Sequence, residues 1–102
     1  MMLFVRKRFA DLLRSGAKTL EIRAGARYAR IKPGHVLHVN GAQFCLRVSR
    51  VERFGTRAQL HDALSPRYRA AGFDSLADMR EALRSCYPHD DPPYTILHVA
   101  TL

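Results

Sequence analysis

A chain of 102 residues that is 47% hydrophobic and 25% charged has the composition of a small globular domain, which excludes a disordered segment. No apolar run approaches the roughly 20 residues that a transmembrane helix needs. The N-terminus does not resemble a signal peptide, because its basic residues follow the apolar stretch instead of preceding it. Two cysteines without CxxC or disulfide-framework spacing give no reason to expect a metal or cofactor. The sequence therefore predicts a single cytoplasmic domain over residues 1–102 that stays out of the membrane.

The net charge of +8 is unevenly distributed along the chain. Residues 1–60 hold 13 Lys and Arg against 3 Asp and Glu, whereas residues 61–102 hold 4 against 6. A positive field concentrated in one half and supplied mostly by arginine is typical of proteins that bind phosphate-bearing partners. A nucleic acid or a nucleotide is the expected partner; an arginine-rich composition inherited from a GC-rich genome is the alternative explanation.

Apolar spacing and turn signals predict five strands and two or three helices. In chain order the strands are expected at residues 3–5, 18–23, 36–39, 43–51 and 94–99. The helices are expected at residues 6–15, from a capping box at Thr56 to about residue 64, and from Ser75 to Tyr87-Pro88, with another turn of helix starting at Ser65-Pro66. Asn40-Gly41 predicts a hairpin between the third and fourth strands. The expected fold is α+β, a small and mostly antiparallel sheet curled into a β-barrel with the helices packed on it.

The segment from Gly16 to Arg23 is the most informative part of the chain. Leu20 and Ile22 alternate with polar residues, which predicts a half-buried strand. Its polar face is either a solvated sheet surface or the floor of a site for an anionic or amide-bearing ligand. Because strict alternation puts Lys18 and Glu21 on opposite faces, their cooperation requires Lys18 to lie at the junction between helix and strand.

Lys18, Glu21 and Thr19 are the candidate catalytic residues. The positive charge of Arg23 lowers the pKa of a nearby Lys18 ammonium, whereas the charge of Glu21 raises it. With Glu21 close, Lys18 is expected to bind an anion or donate a proton. If burial and the charge of Arg23 lower the pKa of Lys18 more than Glu21 raises it, Lys18 instead becomes a base that could activate the Thr19 hydroxyl.

Further candidates for ligand binding flank this segment. Arg6 and Lys7 open the first helix, where the helix dipole disfavours cations, so an external anion is expected to meet them unless they are simply solvated. Arg27, Tyr28 and Arg30 combine charge and an aromatic ring on a loop, a pattern suited to clamping and stacking single-stranded bases. The full set of candidate binding residues is Lys18, Arg23, Arg6, Lys7, Arg27, Tyr28, Arg30 and Tyr94.

The chain resembles ASCH domains, a branch of the PUA-like β-barrel superfamily. Gly16, Lys18, Glu21 and Arg23 match the Gly-x-Lys-x-x-Glu-x-Arg signature of these domains at all four positions. The turn at residues 31–34 is similar to the turn that precedes the family's second strand. A third similarity is the segment 71–75 and the helix that follows it, so the resemblance extends over essentially the whole chain.

The resemblance implies a cleft between the first helix and the barrel and a role in RNA metabolism through RNA binding. One branch of the family hydrolyses N(4)-acetylcytidine with a lysine, a threonine and a glutamate, so a hydrolase acting on a modified nucleoside or on RNA is the alternative. Lys18 matches that lysine, but Glu21 occupies the threonine position. The glutamate position falls near Gly72, with Asp74 the closest carboxylate. The sequence leaves the oligomeric state and any RNA sequence preference open.

Overall fold

The computed structural model describes residues 1–102 and contains one five-stranded sheet and three α-helices. In chain order the elements are β1 (Met2–Leu3), α1 (Lys7–Ser15), β2 (Leu20–Ala24), β3 (Val36–Val39), β4 (Phe44–Phe54), α2 (Arg57–Leu64), α3 (Leu76–Cys86) and β5 (Tyr94–Thr101). Two 3-10 helices lie at Ala26–Tyr28 and Ser65–Arg67. None of the helices is long and apolar enough to cross a membrane. The α+β class predicted from the sequence is confirmed.

The strand order in the sheet is β1-β3-β4-β5-β2. All neighbouring strands are antiparallel except β1 and β3, which confirms the mostly antiparallel sheet. The sheet differs from a barrel in that it is not closed, because β1 and β2 remain its two edges. At the outer edge of β2, the Ile22 carbonyl accepts a hydrogen bond from the Tyr87 hydroxyl instead of from another strand.

Apolar side chains cover both faces of the sheet. One core packs β2 and β5 against α2 and α3, and its members include Ile22, Leu64, Met79 and Ile96. The other fills the opposite face. It consists of Leu3, Leu13, Ile31, Leu37, Val39, Leu46, Val48, Leu97 and Val99. Strand β5 contributes to both cores because successive strand residues point to opposite faces.

The junction between α1 and β2 differs from the expected strand over residues 18–23. Gly16 adopts a left-handed conformation with φ of +84°, which ends α1. The chain then turns back, and the Lys18 amide donates to the Leu12 carbonyl at 3.0 Å, which satisfies one of the free carbonyls at the helix end. Because the Lys18 backbone completes the helix end, β2 begins only at Leu20.

Most of the other predicted elements match closely, although β1, which was expected at residues 3–5, spans only Met2–Leu3. The hairpin at Asn40-Gly41 is confirmed, with Asn40 at a φ of +49° and β3 antiparallel to β4. Strand β4 extends three residues beyond the expected end at residue 51. It does so because a bulge between Val48 and Arg50 shifts the register and lets the strand continue along β5 to Phe54.

Glu52 ties the sheet to the segment that follows α2. Its carboxylate accepts two hydrogen bonds from the Arg67 guanidinium, at 2.7 and 3.2 Å, and its Oε2 lies 2.6 Å from His98 Nε2. The Arg67 hydrogen bonds lower the pKa of Glu52 to about 2; burial opposes the decrease and His98 adds to it. Glu52 therefore stabilises the fold mainly while it is ionised.

We expect Glu52→Gln to lower the free energy of unfolding at neutral pH by about 2 to 3 kcal/mol. The pKa of Glu52 is lower in the folded protein than in the unfolded chain, so its contribution is complete above about pH 4.5 and is lost as pH falls through about 2. Chemical denaturation at several pH values checks this. The difference between wild type and variant should shrink from about pH 5 to about pH 2; a constant difference would contradict the assignment.

Candidate functional site

A pocket of about 550 Å³ lies along the outer edge of β2. Most of its lining comes from three parts of the chain: the segment that leads into α1, strand β2, and the end of α3 with the loop that follows. Its polar lining includes Arg6, Lys18, Glu21, Arg23 and Asp91. Residues far apart in the sequence therefore meet at one edge of the sheet.

Lys18 lies at the base of this pocket and is almost completely buried. Its Nζ donates to the Leu20 carbonyl at 2.6 Å and to the Ala71 carbonyl at 2.5 Å, and it lies 3.4 Å from Glu21 Oε1. Two of the three N–H donors of the ammonium therefore bind backbone carbonyls, and its charge is paired with the Glu21 carboxylate. Lys18 thereby connects β2 to the segment before α3 and fixes the position of the Glu21 side chain.

Burial is the main influence on the pKa of Lys18 and lowers it from its ordinary value. The Glu21 carboxylate acts in the opposite direction, and the positive charge of Arg23 adds to the decrease. Both charge effects expected from the sequence are present, and the contact between Lys18 and Glu21 depends on Lys18 lying at the helix–strand junction. Two carbonyls and a carboxylate surround the ammonium, an arrangement that suits its protonated form.

Glu21 is the acceptor at the centre of the site. Its Oε2 accepts from Arg23 Nη2 at 2.9 Å, and its Oε1 accepts from the Ile22 amide at 3.3 Å while facing Lys18. A carboxylate has about four lone-pair positions, so one on Oε2 remains available to a ligand donor. Arg23 also donates to the Phe4 carbonyl at 3.2 Å, which anchors it between β2 and the N-terminal segment. The resulting Lys18–Glu21–Arg23 cluster presents a carboxylate between two cations.

Two buried polar atoms near this cluster have no hydrogen-bond partner: Arg23 Nε and Thr95 Oγ1. These residues face each other directly across β2 and β5, so both atoms lie in the same part of the sheet. A buried donor without a partner destabilises a protein by about 1–3 kcal/mol. Such exceptions to full hydrogen bonding are uncommon in folded proteins.

Aromatic rings form the walls of the pocket. Phe9 and Phe73 pack edge to face, with centroids 5.7 Å apart, and Lys18 Nζ lies 5.1 Å from the centroid of Phe9. Tyr28 lies against the guanidinium of Arg23 at 5.6 Å. At the mouth of the pocket, the ring of Phe4 is 73% exposed. The pocket thus combines apolar walls with a charged base.

Gly72 is required for the placement of Lys18. Its φ is +93°, and a Cβ at this position would lie 2.9 Å from Lys18 Cδ and 3.2 Å from Phe9 Cδ1. The Lys18 side chain therefore packs directly against the backbone of Gly72, where a larger residue would clash with it. This is also the place where the resemblance puts the third catalytic residue of the amidohydrolase branch, so that carboxylate has no room here.

The structure brings together part of the residue set named from the sequence. Lys18, Glu21, Arg23, Arg6 and Tyr28 line the pocket. Of these, Arg6 is exposed at the start of α1 and forms no ion pair, which leaves it available to an external anion.

The other candidates lie outside the pocket. Lys7 forms an exposed ion pair with Asp11 at 2.9 Å and lines a separate groove. Arg27 and Arg30 are exposed, and neither lines the pocket. The Arg27 guanidinium stacks on the Tyr28 ring at 5.7 Å.

Thr19 and Tyr94 also lie elsewhere. Thr19 is exposed beside the buried Lys18, and its amide donates to the Ala70 carbonyl. Tyr94 is completely buried in the core, and its hydroxyl donates to Asp90 Oδ1 at 2.6 Å. Neither residue lines the pocket beside β2. No group of three or more His, Cys, Asp or Glu side chains is arranged to hold a metal ion.

Sequence reasoning missed Phe4 and Tyr87 as site residues. The sequence predicts Phe4 within an opening strand, and no periodicity distinguishes an exposed aromatic there. It predicts Tyr87 only as a helix stop, yet Tyr87 lines the pocket and its hydroxyl donates to the Ile22 carbonyl at 2.8 Å. Its position four residues after the buried Leu83 is the one signal that could have shown it facing the core. Burial raises the pKa of Tyr87, so its hydroxyl stays protonated and keeps this bond.

Several solved structures resemble this one. A hypothetical protein designated PH0355 superposes with a TM-score of 0.82 at 14% identity, covering 99% of this chain and 97% of its own. The ASCH domain from Lactobacillus crispatus gives 0.65 at 16% identity, covering 96% of this chain and 76% of its own. A point mutant of the ZmASCH protein from Zymomonas mobilis gives 0.67 at 15% identity, with coverages of 97% and 67%.

No protein-family model matches the sequence, and neither does any curated protein. The resemblance to ASCH domains was drawn from Gly16, Lys18, Glu21 and Arg23. The backbone agrees with it, because the superpositions on the solved structures extend over nearly every residue of this chain. At these identities the likeness concerns the fold. The chain has the fold of an ASCH domain.

Proposed function

We propose that this protein binds single-stranded RNA by taking one base into the pocket beside β2. The observation that supports this most strongly is the Glu21 carboxylate, which is fixed between Lys18 and Arg23 at the base of an aromatic-walled pocket. A carboxylate in this setting is suited to accept a hydrogen bond from the exocyclic amino group of a base. The pocket volume of about 550 Å³ lies within the range of small-ligand sites.

The surroundings of Glu21 match the other parts of a nucleotide. Bases splayed out of single-stranded RNA stack on aromatic side chains, and Phe4 offers an exposed ring at the mouth of the pocket. The Arg6 guanidinium lines the same pocket without an acidic partner and suits a phosphate. The two free cysteines and an RNA partner fit the reducing cytoplasm, which we propose as the compartment.

Hydrolysis through Lys18 has less support than binding. The Lys18 ammonium is engaged by two carbonyls and Glu21, so it would have to break these contacts to act as a base. Thr19 does not line the pocket, and Gly72 leaves no room for a further carboxylate. Turnover of N(4)-acetylcytidine or RNA that Lys18→Met abolishes in a folded protein would favour the enzyme instead.

The proposal is tested by titrating a short single-stranded RNA and following fluorescence anisotropy at two salt concentrations. If the protein contacts roughly three phosphates, raising the salt from about 50 to about 200 mM should weaken binding about 20-fold. The reason is that the release of counterions favours binding less at high salt. We expect Phe4→Ala to weaken binding further, by about 5- to 100-fold, through the loss of base stacking.

Leu76→Ala is the control for Phe4→Ala, because Leu76 is an exposed apolar residue on α3 that does not line the pocket. It should bind RNA like the wild type. Binding that is absent, or that is insensitive to both salt and Phe4→Ala, would contradict the proposal.

A further inference from the structure

A second cavity, of about 500 Å³, lies between α2 and α3. Its charged lining consists of Arg57, Arg80, Arg84 and Asp62, with His61 beside them. Three guanidinium groups therefore face a single carboxylate. Neither Arg57 nor Arg80 forms an ion pair, and Arg84 reaches only Glu81, at 3.9 Å on the surface. The cavity thus has an excess of positive charge that the protein itself leaves uncompensated.

Arg57 is held in place from the core. Its Nε donates to the Tyr94 hydroxyl at 3.2 Å, and Tyr94 is completely buried. The same hydroxyl donates to Asp90 and accepts from the Asp91 amide at 3.0 Å, which leaves it little freedom to move. The other N–H groups of the Arg57 guanidinium form no hydrogen bonds. An arginine oriented in this way is ready to make a two-point contact with a phosphate.

Arg80 and Arg84 reach the same cavity from α3. Their spacing of four residues puts them on one face of the helix, where the two like charges repel each other. Tyr87 continues this face and lines both this cavity and the pocket beside β2, as does Leu83. The two cavities are therefore neighbours, separated by these two side chains.

We propose that Arg57, Arg80 and Arg84 bind a backbone phosphate of the same RNA strand whose base enters the pocket beside β2. This rests on the proposed function and extends it, because the preferred ligand becomes an oligonucleotide in place of a free nucleoside. Because Leu83 and Tyr87 line both cavities, a strand whose base enters one of them has its neighbouring phosphates close to the other. An acidic protein partner would meet the same charges, but would have no use for the adjoining aromatic pocket.

The test compares the double variant Arg80→Ala/Arg84→Ala with wild type for binding of a single-stranded tetranucleotide. We expect affinity to fall roughly tenfold, because hydrogen bonds between charged groups disappear. The slope of log affinity against log salt should become shallower by about 0.7 for each phosphate that the variant no longer neutralises. Both residues are exposed, so helix content measured by circular dichroism should be unchanged.

A matched control removes the same charge from another place. Arg47 and Arg50 are exposed on β4 and line none of the cavities. Arg47→Ala/Arg50→Ala should leave tetranucleotide affinity within about twofold of wild type. Equal losses in both double variants, or unchanged binding by Arg80→Ala/Arg84→Ala, would overturn this inference while leaving the proposed function intact. Failure of the wild type to bind the tetranucleotide would overturn both.

Discussion

Glu21→Gln is expected to lower the free energy of unfolding at neutral pH by about 3 kcal/mol. The substitution keeps the shape of the side chain but removes its charge. Lys18, which is 3% exposed, and Arg23 then lose their common carboxylate. Removing one partner of a buried ion pair is costly because the remaining charge stays buried without compensation. Urea denaturation measures the change.

The pH dependence of this variant gives a second readout. Burial sets the pKa of Lys18 below that of the unfolded chain, and loss of Glu21 lowers it further. Between the folded and unfolded pKa values the unfolded chain binds more protons, so stability rises with pH. The deficit of Glu21→Gln should therefore shrink towards alkaline pH, as Lys18 loses its charge.

Glu81→Gln is the control for this prediction. Glu81 is an exposed residue whose nearest cation is 3.9 Å away. Removing its charge should change stability by less than about 0.5 kcal/mol. If Glu21→Gln is as mild as Glu81→Gln, the Lys18–Glu21–Arg23 cluster does not stabilise the fold in the way described.

Gly72→Ala is expected to destabilise the protein by about 2 to 4 kcal/mol. Two causes add: the left-handed backbone at φ of +93° disfavours any L side chain, and the new methyl group would lie 2.9 Å from Lys18 Cδ. Because the methyl group would displace the Lys18 side chain, we also expect weaker RNA binding. Thermal unfolding and the RNA titration measure the two effects.

Gly34→Ala separates these two causes. Gly34 has nearly the same φ, +94°, but a Cβ there would meet no atom within 4 Å. It should cost only the backbone strain, about 1–2 kcal/mol, and leave RNA binding unchanged. Equal destabilisation by the two substitutions would mean that Lys18 does not pack over Gly72.

Local signals in the sequence were sufficient for most of the fold. Thr56 and Ser75 cap the N-termini of α2 and α3, and the side chain of each accepts a hydrogen bond from the backbone amide three residues later. The Asn40-Gly41 turn predicts the β3–β4 hairpin correctly. These features depend on neighbours within four residues, which is why a single sequence reveals them.

The site depended on contacts that are distant in sequence. Lys18 donates to the carbonyl of Ala71, which is 53 residues away, and Tyr87 donates to that of Ile22, which is 65 residues away. The periodicity of apolar residues in a sequence does not reveal such distant contacts. Tyr94 shows the same limit, because its position at a strand start indicated the cleft beside β2. Its ring is buried in the core instead, and it lines the second cavity between α2 and α3.

The most direct test of RNA binding beside β2 records amide NMR spectra during titration with the single-stranded RNA. We expect the largest shifts at Phe4 and Arg6, along Leu20–Ala24, and at Tyr87, the residues around the pocket. Smaller shifts should follow at Arg80 and Arg84, if the strand continues into the second cavity. Shifts confined to the exposed face of β4, or no shifts at saturating RNA, would contradict RNA binding in the pocket beside β2.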